Sequence, residues 1–145
     1  MLRPATLAAL LCAALAVPAA AADKTHHLVI QVSDSDLAKF NLVLSNAANV
    51  SQDYSSRGEE VEIEVVAYGP GLHMLRADTS PVKDRMKSFK DGMPNVTFTA
   101  CGNTMTTMAQ HERKPIPLLE GVEVVTAGVV RLMERQEQGW SYVRP

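Results

Sequence analysis

The segment Phe98-Thr99-Ala100-Cys101-Gly102-Asn103-Thr104 joins a β-branched run to a stretch able to open a helix. It carries the sharpest chemical candidate in the chain, Cys101. The first turn of a helix offers unpaired amide hydrogens and a positive dipole end. Both stabilise a thiolate relative to a thiol, so a cysteine placed there ionises more readily. Gly102 lets the backbone approach closely and would expose the sulfur to a ligand. The plainer reading of the same residue is a small buried hydrophobe, which free cysteines often are.

Three other groups of residues invite chemistry. Gly69-Pro70-Gly71 is a sharp break that could present backbone donors to an anion, or simply turn the chain. It lacks the spacing of a phosphate-binding loop or a dinucleotide fingerprint, so no cofactor is expected. Met105, Met108 and His111 recur every third residue. With Cys101 and His73-Met74 they sketch a soft, copper-like ligand set, although a methionine-lined core face is the commoner use of this pattern, and no metal is assigned. Glu60, Glu62 and Glu64 alternate at the start of a strand and read as a solvated edge. No Gly-x-Ser-x-Gly elbow is present, and no acid–base constellation is visible.

The N-terminus decides how many cysteines matter. Arg3 precedes an apolar run from Ala5 to Val17, and Pro18 to Ala22 is small and alanine-rich. This is the pattern of a secretory signal peptide, with cleavage expected after Ala20, Ala21 or Ala22. Residues 1–22 are therefore expected to be a leader and 23–145 a single domain, periplasmic in a bacterial host. Cys12 leaves with the leader, so Cys101 becomes the sole thiol and cannot form an internal disulfide. The whole chain has 14 basic and 16 acidic residues, and the leader removes only Arg3. A slightly acidic chain without a basic cluster suits neither nucleic acid nor an anionic membrane.

The elements that must position Cys101 follow from periodicity. His27 to Val32 reads as a buried first strand. Ser33 to Asp36 offer helix caps, and apolar residues then recur at helical spacing to about Ser55. Val61 to Tyr68 is a second strand, followed by a short turn of helix near Leu72 to Leu75. Ser80 and Pro81 suit the start of a helix over Val82 to Lys90. Asn95 to Ala100 is a third strand and Asn103 to Gln110 a short helix. Val122 to Val125, a Thr126-capped helix from Ala127 to about Gln138, and a final edge strand over Trp140 to Val143 complete the alternation. Strict βα alternation predicts an α/β fold with a mainly parallel five-stranded sheet covered on both faces. Ser33-Asp34, Gly69-Pro70-Gly71 and Cys101-Gly102-Asn103-Thr104 then meet at the carboxyl ends of the strands, where ligands collect.

Three stretches together resemble exported members of the DsrE/DsrF-like family. They are Val65-Val66-Ala67-Tyr68-Gly69-Pro70-Gly71, Phe98 through Met105, and Gly139-Trp140-Ser141-Tyr142-Val143-Arg144-Pro145. The resemblance implies a three-layer α/β/α fold and a homo-oligomer, commonly a trimer or hexamer. It implies that Cys101 occupies the place of a cysteine that passes persulfide sulfur between a donor and an acceptor protein. It also implies that Asn41 and Asn46 on the first helix face the cleft at the strand ends, where Gly69, Gly71, Gly102, Asn103 and Thr104 are the other candidate ligand-binding residues. The expected function is a periplasmic single-cysteine sulfur carrier rather than a conventional turnover enzyme. A small-ligand-binding module is the alternative, and a copper binder a third.

Overall fold

A computed structural model describes residues 25–145; the expected leader lies outside the described residues. The elements in chain order are β1 (Thr25–Val32), α1 (Leu37–Ser56), β2 (Glu60–Ala67), a 3-10 turn (Gly69–Met74), α2 (Lys83–Gly92), β3 (Val96–Cys101), α3 (Gly102–Glu112), β4 (Glu123–Val125), α4 (Gly128–Glu137) and β5 (Ser141–Val143). All four strand pairings are parallel, in the order β4-β3-β2-β1-β5. The α/β alternation is as expected from the sequence, with strand and α-helix boundaries moved by at most two residues and the short turn of helix starting three residues earlier, at Gly69.

This strand order fixes which helix covers which face. From β1 to β4 the chain steps steadily one way, so right-handed crossovers place α1, α2 and α3 on one side. The return from β4 to β5 runs the other way and puts α4 on the opposite side. The packing agrees. Leu28, Ile30 and Val32 share a core with Phe40, Val43 and Leu44 of α1, and with Met86 and Phe89 of α2. The intervening strand residues Val29 and Val66 pack against Leu132 of α4, with Tyr68 and Trp140 beside them. The sheet is thus the middle of three layers, with a thick core on one face and a thin one on the other.

Some local expectations are corrected. Helix α1 is capped by Asp36, whose carboxylate accepts from the amides of Ala38 (2.7 Å) and Lys39 (3.1 Å). Ser80, by contrast, does not cap α2. Val82 holds that position, while the Ser80 hydroxyl donates to the Met74 carbonyl and accepts from the Val82 amide. Thr126 does not cap α4 either: Ala127 does, without a side-chain bond, and the Thr126 carbonyl accepts from the amide of Asn103.

The largest correction concerns Glu64. Glu60 and Glu62 are exposed as expected, but Glu64 is fully buried. β2 is a central strand, so its second face is covered by α4 rather than open to water. No described helix is long and apolar enough to cross a membrane.

Candidate functional site

The strand order puts the chain's switch point between β3 and β4. The loop after β3 turns to α3 on one face, and the loop after β4 turns to α4 on the other. Crevices between such diverging loops are where open α/β sheets bind ligands. Cys101 is the last residue of β3 and pairs with Val125, the last residue of β4. It is also the N-cap of α3, in extended conformation. The sulfur-bearing residue therefore sits in the fork between two helix starts.

Both helices reach it. The amides of Gly128, Thr104 and Asn103 and the hydroxyl of Thr104 all act on the Cys101 side chain as donors that favour its thiolate. Thr104 Oγ1 accepts from the amide of Gly69 at 2.9 Å, which leaves its own proton free for the sulfur. The Asn103 amide also bonds the Thr126 carbonyl at 3.0 Å, which ties the start of α3 to the loop entering α4. Cys101 is only 5% exposed. Burial pushes the thiol up, but these donors outweigh it and hold the thiol below its ordinary value.

Two glycines make this approach feasible. A Cβ on Gly128 would stand 3.2 Å from the Cβ atoms of both Cys101 and Tyr68. Any side chain there would push the first turn of α4 away from the sulfur. A Cβ on Gly102 would stand 3.1 Å from the Val125 carbonyl oxygen, so Gly102 lets α3 leave β3 tightly alongside β4.

The other expected site residues fall in distinct places. Gly69 joins the cluster through Thr104. Gly71 lies one step away: its amide bonds the Tyr68 carbonyl, and its Cα packs onto the end of β1. The backbone donors of both glycines are thus engaged within the protein. Asn41 on α1 donates to the Leu37 carbonyl and accepts from Arg85 of α2 at 2.6 Å. Asn46 is half-buried further along α1. The groups that hold Cys101 come from α3 and α4, not from α1.

The methionines and histidines disperse. Met74 is fully buried, and Met105 and Met108 pack on the main core. The Met108 sulfur faces Arg76 Nη1 at 3.7 Å. His73 bonds Thr79 at 2.8 Å, and His111 is exposed. An apolar pocket of about 440 Å³ lies elsewhere, with Met86, Val96, Phe98 and Val122 among its lining residues.

The DsrE/DsrF-like family matches residues 26–145, nearly all of the described chain. This protein belongs to the DsrE/DsrF-like family. Among solved structures it is similar to a protein of unknown function from Methanobacterium thermoautotrophicum. The identity is 35%, with 83% of this chain and 99% of that one covered and a TM-score of 0.70. No curated protein matches. The candidate chemistry of this DsrE-family protein lies in the fork that holds Cys101 between β3 and β4.

Sequence reasoning did not find Gly128, the Glu64 cluster or Arg76. Gly128 had a signal, a glycine at a helix start just past a strand, where close backbone approach is the usual reason. Arg131 and Arg135 also had one: two arginines four residues apart define a single helical face.

Proposed function

We propose that this DsrE-family protein is a periplasmic sulfur carrier that holds sulfane sulfur as a persulfide on Cys101. The observation that carries the reading is the convergence of two helix N-termini and the Thr104 hydroxyl on one thiol. The Cys101 thiolate attacks the terminal sulfur of a donor protein's persulfide. The new S–S bond forms on Cys101, the donor's S–S bond breaks, and the donor cysteine leaves as a thiolate. No net oxidation occurs, because one persulfide replaces another. The proton on the transferred sulfur passes to the departing donor thiolate, which leaves the charge on the outer sulfur of Cys101 with the same amides beside it. Release is the reverse attack by an acceptor thiolate, which suits a chain whose described residues hold one cysteine.

Burial helps storage and restricts access. The first turn of α4, with Tyr68 beside it, packs against the Cys101 side chain. They shield a persulfide from solvent, and they must give way when a donor docks. Export from the cytoplasm and assembly into a trimer or hexamer belong to the same proposal, supported by the leader pattern and by the family resemblance.

Intact mass spectrometry of the folded, natively expressed protein tests all three parts. A persulfide donor should add one sulfur atom to the wild type and none to Cys101→Ser. The apo mass should lack residues 1–20, 1–21 or 1–22, and the native mass should be a multiple of the protomer. A wild type that gains no sulfur and resists alkylation while folded would remove the carrier function. An uncleaved leader would remove export.

A further inference from the structure

We propose that Glu64 is a positioning residue for Cys101, acting through helix α4. The inference rests on the reading of Cys101 as the reactive thiol, but it concerns a residue that does not touch the sulfur. Glu64 lies in the central strand β2, on the face that α4 covers, and is 1% exposed. Its carboxylate accepts from the Thr99 hydroxyl (2.7 Å), Arg131 Nε (2.9 Å) and Arg135 Nε (2.5 Å).

Burial pushes the Glu64 carboxyl up, but Arg131, Thr99 and Arg135 outweigh it and keep the group ionised. A buried carboxylate is tolerated only when it is paired and fully hydrogen-bonded. Two arginines from one helix and a hydroxyl from the neighbouring strand supply that.

Helix α4 has little else to hold it. Its one large buried apolar side chain is Leu132, while Val129, Val130 and Met133 point outward, each more than half exposed. Arg135 also stacks over Trp140, with the guanidinium 4.1 Å from the ring centroid. The height and rotation of α4 over the sheet are therefore set by the two arginines on Glu64, with Leu132 and Trp140 as apolar contacts. Arg131 lies one helical turn from Gly128, on the same face. Gly128 is the residue whose amide reaches Cys101 and whose Cα has no spare room against Cys101 and Tyr68. Thr99, the third partner of Glu64, precedes Cys101 by two residues on β3 and shares its face of the sheet. Glu64 thus ties the strand that carries the sulfur to the helix that donates to it.

The groups that act on the sulfur carry no charge: they are the Thr104 hydroxyl and three backbone amides. A change at Glu64 therefore reaches the thiol through the geometry of α4 rather than as a direct charge effect. Glu64→Gln removes the charge that holds two guanidinium groups together and frees α4 to lift.

The experiment measures the alkylation rate of folded protein against pH, beside thermal stability. Glu64→Gln should lower the neutral-pH rate about fivefold and move the thiol midpoint upward. Arg131→Met, which leaves Arg135 in place, should shift both in the same direction and serves if Glu64→Gln fails to fold. Leu44→Ala, a cavity in the core on the other face, should lower stability without moving the thiol midpoint. An unchanged midpoint in both Glu64→Gln and Arg131→Met would overturn the proposal. So would an equal shift in Leu44→Ala, because general loosening would then explain the effect. Alkylation needs no sulfur donor, so this outcome is independent of whether the wild type accepts sulfur.

Discussion

Arg76→Ala is expected to cost about 2–3 kcal/mol of folding stability, the size of losing hydrogen bonds made by a charged group. The fall in the urea midpoint checks it. Arg76 lies in the loop between the 3-10 turn and α2, yet its side chain is fully buried. Its guanidinium makes paired bonds to Asp78 (2.9 and 2.8 Å) and to Glu112 at the end of α3 (2.5 and 2.8 Å). A single planar fork therefore ties the 76–78 loop to α3. Truncation leaves Asp78 and Glu112 facing each other with Lys114 as their remaining cation, and leaves a void beside Met108.

The same cluster gives stability an acid-side dependence. The hydrogen bond from Arg76 holds the Glu112 carboxyl down at about 2, against an ordinary 4.5. A depressed folded-state value means that the contribution is fully present above about pH 4.5 and is lost as pH falls towards 2. In Arg76→Ala the loss of stability between these limits should be visibly shallower.

Gly71→Ala is expected to destabilise by about 3 kcal/mol, at the upper end for overpacking, because nothing near it can move cheaply. The added Cβ would stand 2.2 Å from the Val32 carbonyl oxygen, 2.5 Å from its carbon and 2.8 Å from the Ser33 nitrogen. All three are backbone atoms at the end of β1. The Val32 carbonyl also accepts from the Tyr68 amide, so displacing it loosens the corner that carries Gly69 to Thr104. Thermal unfolding measures the stability loss. A drop in thiol reactivity larger in Gly71→Ala than in a core-cavity variant such as Leu44→Ala would show the corner's hold on the site.

Much of this architecture was legible because hydrophobic period and length discriminate well here. β1 and β3 are short apolar runs, and α1 repeats its apolar residues over twenty positions with a real cap at Asp36. Cys101 was legible for the same reason: a strand, a glycine and a helix follow one another without a gap. What α4 contributes was not, because it depends on strand order. Only when β5 returns to the far side of β1 does α4 cross the second face and bring Gly128 to the sulfur. Glu64 was misread for a related reason. Alternation in a strand implies a wet face only if no helix covers it, and the helix that does is 64 residues downstream of Ala67 in its first arginine, Arg131. Arg76 had no periodic context, and one of its partners lies 36 residues away.

The central claim is that α3 and α4 together turn Cys101 into an unusually acidic thiol. The most direct measurement is the pH at which Cys101 ionises in the folded protein, followed by thiolate ultraviolet absorbance with Cys101→Ser as the blank. The midpoint should lie below the ordinary value of 9.0 and should rise in Thr104→Val, which removes one donor to the sulfur and the acceptor for the Gly69 amide. A midpoint at or above 9.0 in the wild type, or one indifferent to Thr104→Val, would contradict the account.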